Sequence, residues 1–396
     1  MNPSTRFPLA TSRSLLLTEH FPPARGGMAQ SCDRIVHGLR RRGVEVDVAH
    51  LTRRLRGARV ERKIGGYDIG FPLGDDLPHG LNLLWNHLDA HRGDRRYDSV
   101  IAFGGTVPLL AGPILAGWFG APLFSLFRGN DFDAALFSPR RGDIVRQAIL
   151  ASGAVAVVTR EKKEKVERLF PNAPPVVWIT NGIDLDDWRI EEVDRERGRA
   201  WKKENVADGR RVLGMIGQIK RKKGALFLLE AMLRASLADR FHFLIVGEVD
   251  DEALGFLEAN REAIHCSILP FIDRYNLLPW YAVSDMVAIP SFYDGTPNVL
   301  VEAMTLGIPL LASRAGGMGD HLVDGVHGFA FAPGDPHECR HALHAAATAS
   351  DEELCAMGEQ CRRLAVDVFD ADREAAAYHE VLLTLKKTWD IHPDLS

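Results

Sequence analysis

From about residue 14 to residue 387, short continuous apolar runs alternate with stretches whose apolar residues recur every three or four positions. The first kind reads as buried strand and the second as amphipathic helix. The first half opens with a strand near Ser14–Thr18, then a loop holding Pro22, Pro23, Gly26 and Gly27, then a helix reaching about Arg42. Met28, Cys32, Ile35, Val36 and Leu39 fall on one face of that helix. Arg40, Arg41 and Arg42 crowd its last turn, where cations suit the helix dipole, and Gly43 ends it. A strand over Val44–Ala49 follows. The second half restarts the pattern with strand Val212–Gly217, helix Ala225–Ala235, strand Phe241–Gly247 and a strand near Ile264–Leu269. A helix near Tyr275–Ala282 and strand Met286–Pro290 come next. Such alternation predicts an α/β chain of two doubly wound parallel-sheet domains, each binding ligands outside the carboxyl ends of its strands. The charged, strand-poor stretch between them reads as a linker plus a helix. The expected divisions are 1–187, a linker at 188–210, 211–369, and a helical tail over 370–396. No internal repeat or low-complexity tract interrupts the pattern.

Residues 99–127 hold no charged residue, a length sufficient for a membrane span. Their glycines and prolines punctuate the run instead. It parses as strand Ser99–Phe103, a helix over about 107–118, and strand Leu123–Phe127. Strands covered on both faces are expected to be apolar throughout.

Composition narrows the class. The 396 residues suffice for two or three domains, and 46% hydrophobic with 26% charged residues is an ordinary globular balance. A net charge of −5 argues against a dedicated nucleic-acid binder. Five cysteines, odd in number and without a C-x-x-C pair, read as reduced and mostly structural, which suits the cytoplasm. The polar start before Ser14 leads into only three leucines, too few for a signal-peptide core.

The candidate chemistry lies mostly in residues 285–328. The strand ending at Pro290 runs into a loop with Asp294 and Gly295, and the loop opens a short helix. Thr296 is placed to be its N-cap and Pro297 its first residue; Gly307 suits the left-handed C′ position and Pro309 prevents resumption. Such a start aims the amides of Asn298, Val299 and Leu300 outward, an anion cradle flanked by the carboxylates of Asp294 and Glu302. Amides for phosphate and carboxylates for hydroxyls suit a sugar attached to a phosphate. A second anion-seeking segment is Gln218–Gly224, where Lys220, Arg221, Lys222 and Lys223 crowd a strand's carboxyl end. A third is Gly26-Gly27, whose backbone could approach a phosphate ahead of a helix.

These motifs resemble those of the retaining glycosyltransferases of family 4, which have the two-domain GT-B fold. The spacing Asp294-x7-Glu302 matches the family's E-x7-E, with Asp replacing the first Glu, and Gly307-Ile308-Pro309 and Gly316-Gly317 follow as in the family. Lys223 matches the lysine of its G-R-x(n)-K-G segment, while Gln218 stands where its arginine usually is. Gly26 and Gly27 resemble its N-terminal glycine loop. Leu126-Phe127-Arg128-Gly129-Asn130-Asp131 resembles its H-G-x-D, with Arg128 in place of the histidine. Asn181-Gly182 resembles a strand-ending turn near the hinge, and Asp320 replaces a glutamate of structural role.

The resemblance implies two Rossmann-like domains facing across a cleft and a C-terminal helix returning to the first. It also implies transfer of a sugar, from a UDP- or GDP-sugar, to an acceptor hydroxyl with retention and without an essential metal or other cofactor. Lys223, the helix amides and Arg221 or Arg128 would then face the diphosphate, Asp294 the sugar hydroxyls, Glu302 the ribose, and Asp131 either partner. Gly26, Gly27, Gln218, Gly295, Thr296, Asn298, Val299 and Leu300 would complete the donor site. The acceptor would be a glycan, a lipid-linked species or a small molecule, in bacterial glycan or glycoconjugate synthesis. Arg53, Arg54, Arg56, Arg59, Arg62 and Lys63 would allow peripheral contact with the inner membrane surface. The departures at Asp294, Gln218 and Arg128 leave a silent nucleotide-sugar-binding partner as one alternative; a GT-B epimerase is another.

Overall fold

The structure, a computed structural model, describes residues 12–24, 26–129 and 132–391. It forms two compact units: the described residues up to Thr180 together with the helix Ala371–Ile391, and Asn181–Asp370.

The first unit carries eight strands: β1 (Ser12–Thr18), β2 (Val44–Thr52), β3 (Arg59–Lys63), β4 (Gly66–Pro72), β5 (Ser99–Phe103), β6 (Leu123–Phe127), β7 (Ser152–Val157) and β8 (Val176–Trp178). Their order in the sheet is β3-β4-β2-β1-β5-β6-β7-β8. All neighbours run parallel except the antiparallel hairpin β3–β4, whose outer strand β3 is exposed. Burial on both faces explains the charge-free run at 99–127: β5 and β6 lie wholly buried, joined by the helix Thr106–Phe119. Among the described residues no helix is long and apolar enough to cross a membrane. One face of the sheet packs against the helix Thr106–Phe119 and the helix Pro139–Ala151. The other is covered by the helices Gly27–Arg41 and Ala371–Ile391, whose Ile35, Leu39, Tyr378 and Leu382 share one apolar cluster.

The second unit holds β9 (Arg211–Ile216), β10 (Phe241–Val246), β11 (Cys266–Leu269), β12 (Met286–Ile289), β13 (Leu310–Ser313) and β14 (Gly328–Phe331). They form an all-parallel sheet in the order β11-β10-β9-β12-β13-β14. From β9 the chain steps outward to β10 and β11, then returns to the other side of β9 with β12. The switch point is therefore the β9/β12 boundary. Cys339 and Cys361 are buried beside this sheet, and burial pushes both thiols up to about 12, so neither is a ready nucleophile.

Two boundaries differ from the sequence expectation. Residues 188–210 contain a helix as expected, Glu192–Asn205, but it belongs to the second unit rather than to a separate linker. Its charged outer face hides a narrow apolar seam, on which Trp201 stands edge-on to Trp280 and to His242. Lys202 adds an ion pair to Asp285 at 3.1 Å. The first unit accordingly ends at Thr180 rather than at 187. The helix expected over 275–282 is divided into a single 3-10 turn, Arg274–Asn276, and a helix, Leu278–Val283. Pro279 lacks an N–H and fits only the first turn of a helix, so the helix begins there.

Candidate active site

The loops that leave β9 and β12 emerge on opposite sides of the switch point, where open α/β sheets bind their ligands. Both carry predicted site residues. After β9 comes the 3-10 turn Arg221–Lys223, which ends at Gly224 with φ of +69°. A Cβ on Gly224 would lie 1.9 Å from the carbonyl oxygen of Pro290 in the other loop, so only glycine allows this approach. The Phe292 N–H also donates to the Lys222 carbonyl at 3.0 Å. A third loop, after β13, closes on the same place. A Cβ on Gly316 would lie 1.9 Å from the Asp294 carbonyl oxygen, and the Gly317 N–H donates to Gly295 at 2.9 Å. The backbone of Asp294-Gly295 is thus gripped from the β13 side, while the turn bearing Lys223 abuts the same β12 loop.

These contacts bring Lys223 and Asp294 together as an ion pair, Nζ to Oδ2. The two side chains keep 30% and 20% of their surface exposed, so the pair is open to exchange with a ligand. The second oxygen of Asp294 accepts the Gly295 N–H at 3.0 Å. The Ser291 hydroxyl, itself buried, lies 3.5 Å from the oxygen that holds Lys223.

The short helix spans Asn298–Thr305, and its N-cap is Pro297, not Thr296. Proline's fixed φ, here −67°, combines with an extended ψ to place it just outside the helix. Thr296 moves one position back and is buried, and its carbonyl accepts the Asn181 side-chain amide at 2.5 Å. The anion cradle is correspondingly narrower than expected. The Leu300 N–H is consumed by the Pro297 carbonyl at 3.0 Å, whereas helix geometry gives the Val299 N–H no acceptor in its own helix. Val299 faces the end of β9, with its Cγ2 4.0 Å from where a Cβ on Gly217 would stand. At the C-terminal end, Gly307 takes φ of +71°, as a left-handed C′ residue should.

Glu302 sits one turn into this helix and is 8% exposed. The hydroxyl of the fully buried Tyr281 donates to its Oε2 at 2.6 Å. Burial, reinforced by the Glu302 carboxylate, holds the Tyr281 phenol well above its ordinary value, so it stays a donor. Trp188 stands edge-on to Tyr281 at 5.8 Å. Nothing in the sequence around Tyr281 marks it, because its partner lies 21 positions later in another element.

The remaining predicted residues divide. Gln218 is exposed and donates to Glu248 at 3.1 Å. Arg221 is exposed, and its guanidinium makes no ion pair among the described residues; its backbone N–H is held by Asp250 at 3.1 Å. In the first unit, Gly26 caps the helix Gly27–Arg41 with φ of +111°. Arg128 is a correction. It does not point to a ligand: its side chain is 1% exposed and pairs with Glu374 at 2.8 Å. It also donates to the Tyr378 hydroxyl and to the Ile179 carbonyl, while Arg34 shares Glu374 at 2.6 Å. A long cation pointed inward needs such a network, and Arg128 thereby fastens the C-terminal helix to the end of β6. Asp131 lies outside the described residues. Among them, no group of three or more His, Cys, Asp or Glu side chains could hold a metal ion.

Comparisons with known proteins bear on the family and the fold. Residues 25–187 match the family described as Glycosyltransferase Family 4, and residues 210–348 match the one described as Glycosyl transferases group 1. The D-inositol 3-phosphate glycosyltransferase of Xylanimonas cellulosilytica is 26% identical over 84% of this chain and 87% of its own. That of Corynebacterium jeikeium is 26% identical over 90% and 91%. Among solved structures, sucrose-phosphate synthase from Thermosynechococcus elongatus superposes with a TM-score of 0.80 at 17% identity, covering 95% of this chain and all of that one. Anabaena HepE, solved in complex with UDP-glucose, gives 0.72 at 19% identity, covering 94% and 100%. Two matched regions, at 25–187 and 210–348, and the shared architecture place the chain among the group 1, family 4 glycosyltransferases of GT-B fold.

Proposed function

We propose that this glycosyltransferase moves a sugar from a nucleotide diphosphate sugar to an acceptor hydroxyl with retention at the anomeric carbon. The observation that carries the reading is the meeting of Lys223 and Asp294, 71 positions apart, beside the start of the helix Asn298–Thr305 at the switch point. The bond from the anomeric carbon to the β-phosphate oxygen breaks, and a bond to the acceptor oxygen forms on the same face. The departing phosphate oxygen takes the acceptor's proton. Charge develops on that phosphate, and Lys223 with the Val299 amide are the preorganised groups that would stabilise it. Asp294 would orient sugar hydroxyls, and Glu302, held by Tyr281, would grip the ribose. These roles need no essential metal, which completes the proposal.

HepE was solved with UDP and with UDP-glucose, which supports a UDP-sugar as the first donor to try. Relatives named for D-inositol 3-phosphate support a small polyol phosphate as the first acceptor, ahead of glycan or lipid-linked ones. Peripheral contact with an anionic membrane surface is supported by β3, whose Arg59, Arg62 and Lys63 are exposed. Sedimentation with anionic vesicles tests that part separately.

The central test is thermal stabilisation by UDP, GDP, ADP, dTDP and CMP without added metal. A ligand at about 100 times its dissociation constant adds about 2.7 kcal/mol. Stabilisation by one diphosphate, reduced in Lys223→Met, supports the reading, and the anomeric configuration of the product then tests retention. Absence of any shift would overturn it.

A further inference from the structure

Lys223 and Asp294 were expected to hold different parts of one donor, yet here they hold each other. We propose that Asp294 is the affinity-determining residue of the diphosphate subsite: it competes with the ligand's phosphate for the Lys223 ammonium and so limits how tightly a bare nucleoside diphosphate is retained. The inference rests on the reading of Lys223 as the phosphate-binding cation.

Geometry supports competition rather than sharing. The Asp294 backbone is fixed by the approach of Gly316 and by the bond from Gly317 to Gly295. Its carboxylate therefore moves mainly by side-chain rotation. A phosphate arriving at the same ammonium brings negative charge against that carboxylate, and like charges at such range repel. The buried Ser291 hydroxyl, 3.5 Å from Asp294 Oδ2, is placed to receive the oxygen as it leaves Lys223. Both partners are partly exposed, so the exchange needs no unfolding of the loop. A ligand that must first displace an internal partner binds with its affinity reduced by the fraction of sites already open. The same competition favours release of the diphosphate product after transfer.

The test is calorimetric titration of UDP, GDP and ADP into four proteins: the unaltered chain, Asp294→Asn, Lys223→Met and the double variant. Bare diphosphates are chosen because they carry no transferable sugar for Asp294 to contact. The isosteric Asp294→Asn keeps the oxygen that accepts the Gly295 N–H. It is expected to bind the recognised diphosphate about 1.4- to fivefold tighter, the range for freeing one partner of a partly exposed ion pair. That gain should vanish in the Lys223→Met background, and Asp294→Asn should transfer sugar more slowly despite its tighter diphosphate binding. Equal or weaker binding by Asp294→Asn, with Lys223→Met still impaired, would overturn the competition and leave the phosphate role of Lys223 standing. Unchanged binding by Lys223→Met would instead remove that role, and the inference with it. Failure of all three diphosphates to bind any of the proteins would overturn both.

Discussion

Arg128 and Lys223 look alike in the sequence: each is a cation just past a buried strand, in a segment resembling a donor-site motif. The structure gives them opposite work. Lys223 lies on a loop at the switch point, partly exposed, paired to a single carboxylate that is itself partly exposed. Arg128 lies inside the first unit, 1% exposed, against a Glu374 that is 3% exposed and also holds Arg34. An open pair is weak and exchangeable, so its cation remains available to an incoming anion. A closed pair is costly to form and costlier to break singly, because either partner left alone is a buried, uncompensated charge. Position relative to solvent, not residue type, separates a cation open to a ligand from one committed to the fold.

Breaking the closed network should have the largest effect. Glu374→Gln leaves Arg128 and Arg34 without their shared carboxylate and is expected to cost about 3 to 5 kcal/mol in chemical denaturation. A cost below about 1 kcal/mol would mean that Arg128 is free to serve elsewhere. Next is Tyr281→Phe, which removes the hydroxyl held by Glu302 and should cost about 1.5 to 3 kcal/mol, the range for hydrogen bonds to charged groups. It should also weaken nucleotide binding if Glu302 grips the ribose, which titration calorimetry reads directly. Lys223→Met should change stability least, within about 0.5 kcal/mol, while sharply weakening diphosphate binding. A large loss of stability would place Lys223 with Arg128 instead.

Mild acid probes both regions together. Burial lowers the pKa of His242 and His327 in the second unit and of His50 and His87 in the first. Folding therefore favours their neutral forms. This stability is present above the ordinary value of 6.5 and is lost as pH falls through the lower folded values. The midpoint of thermal unfolding should be flat with respect to these groups above about pH 7 and decline below 6.5. A midpoint that rises on acidification through this range would contradict it.

The strand runs at 99–103, 123–127 and 286–289 were legible because parallel strands buried on both faces are apolar throughout. The loop around Asp294 was legible because its glycine, proline and carboxylate positions carry local backbone meaning. The start of the following helix was misread by one residue. Thr296 makes a good cap by type, but burial under Asn181 moved that position to Pro297. A helix in the charged stretch was legible, but the place of Glu192–Asn205 in the second unit was not, because its outward charges outnumber the residues in its seam.

The sequence by itself determined the alternation of elements, the α/β class and the anion-seeking loops at strand ends, since periodicity and turn chemistry act over a few residues. Only the tertiary structure decided the partners. Lys223 meets Asp294 across 71 positions, Tyr281 meets Glu302 across 21, and Arg128 meets Glu374 across 246. No local pattern encodes such pairings. They follow from which strands lie side by side and which helix covers which face, and that packing sets how far each charge stands from water.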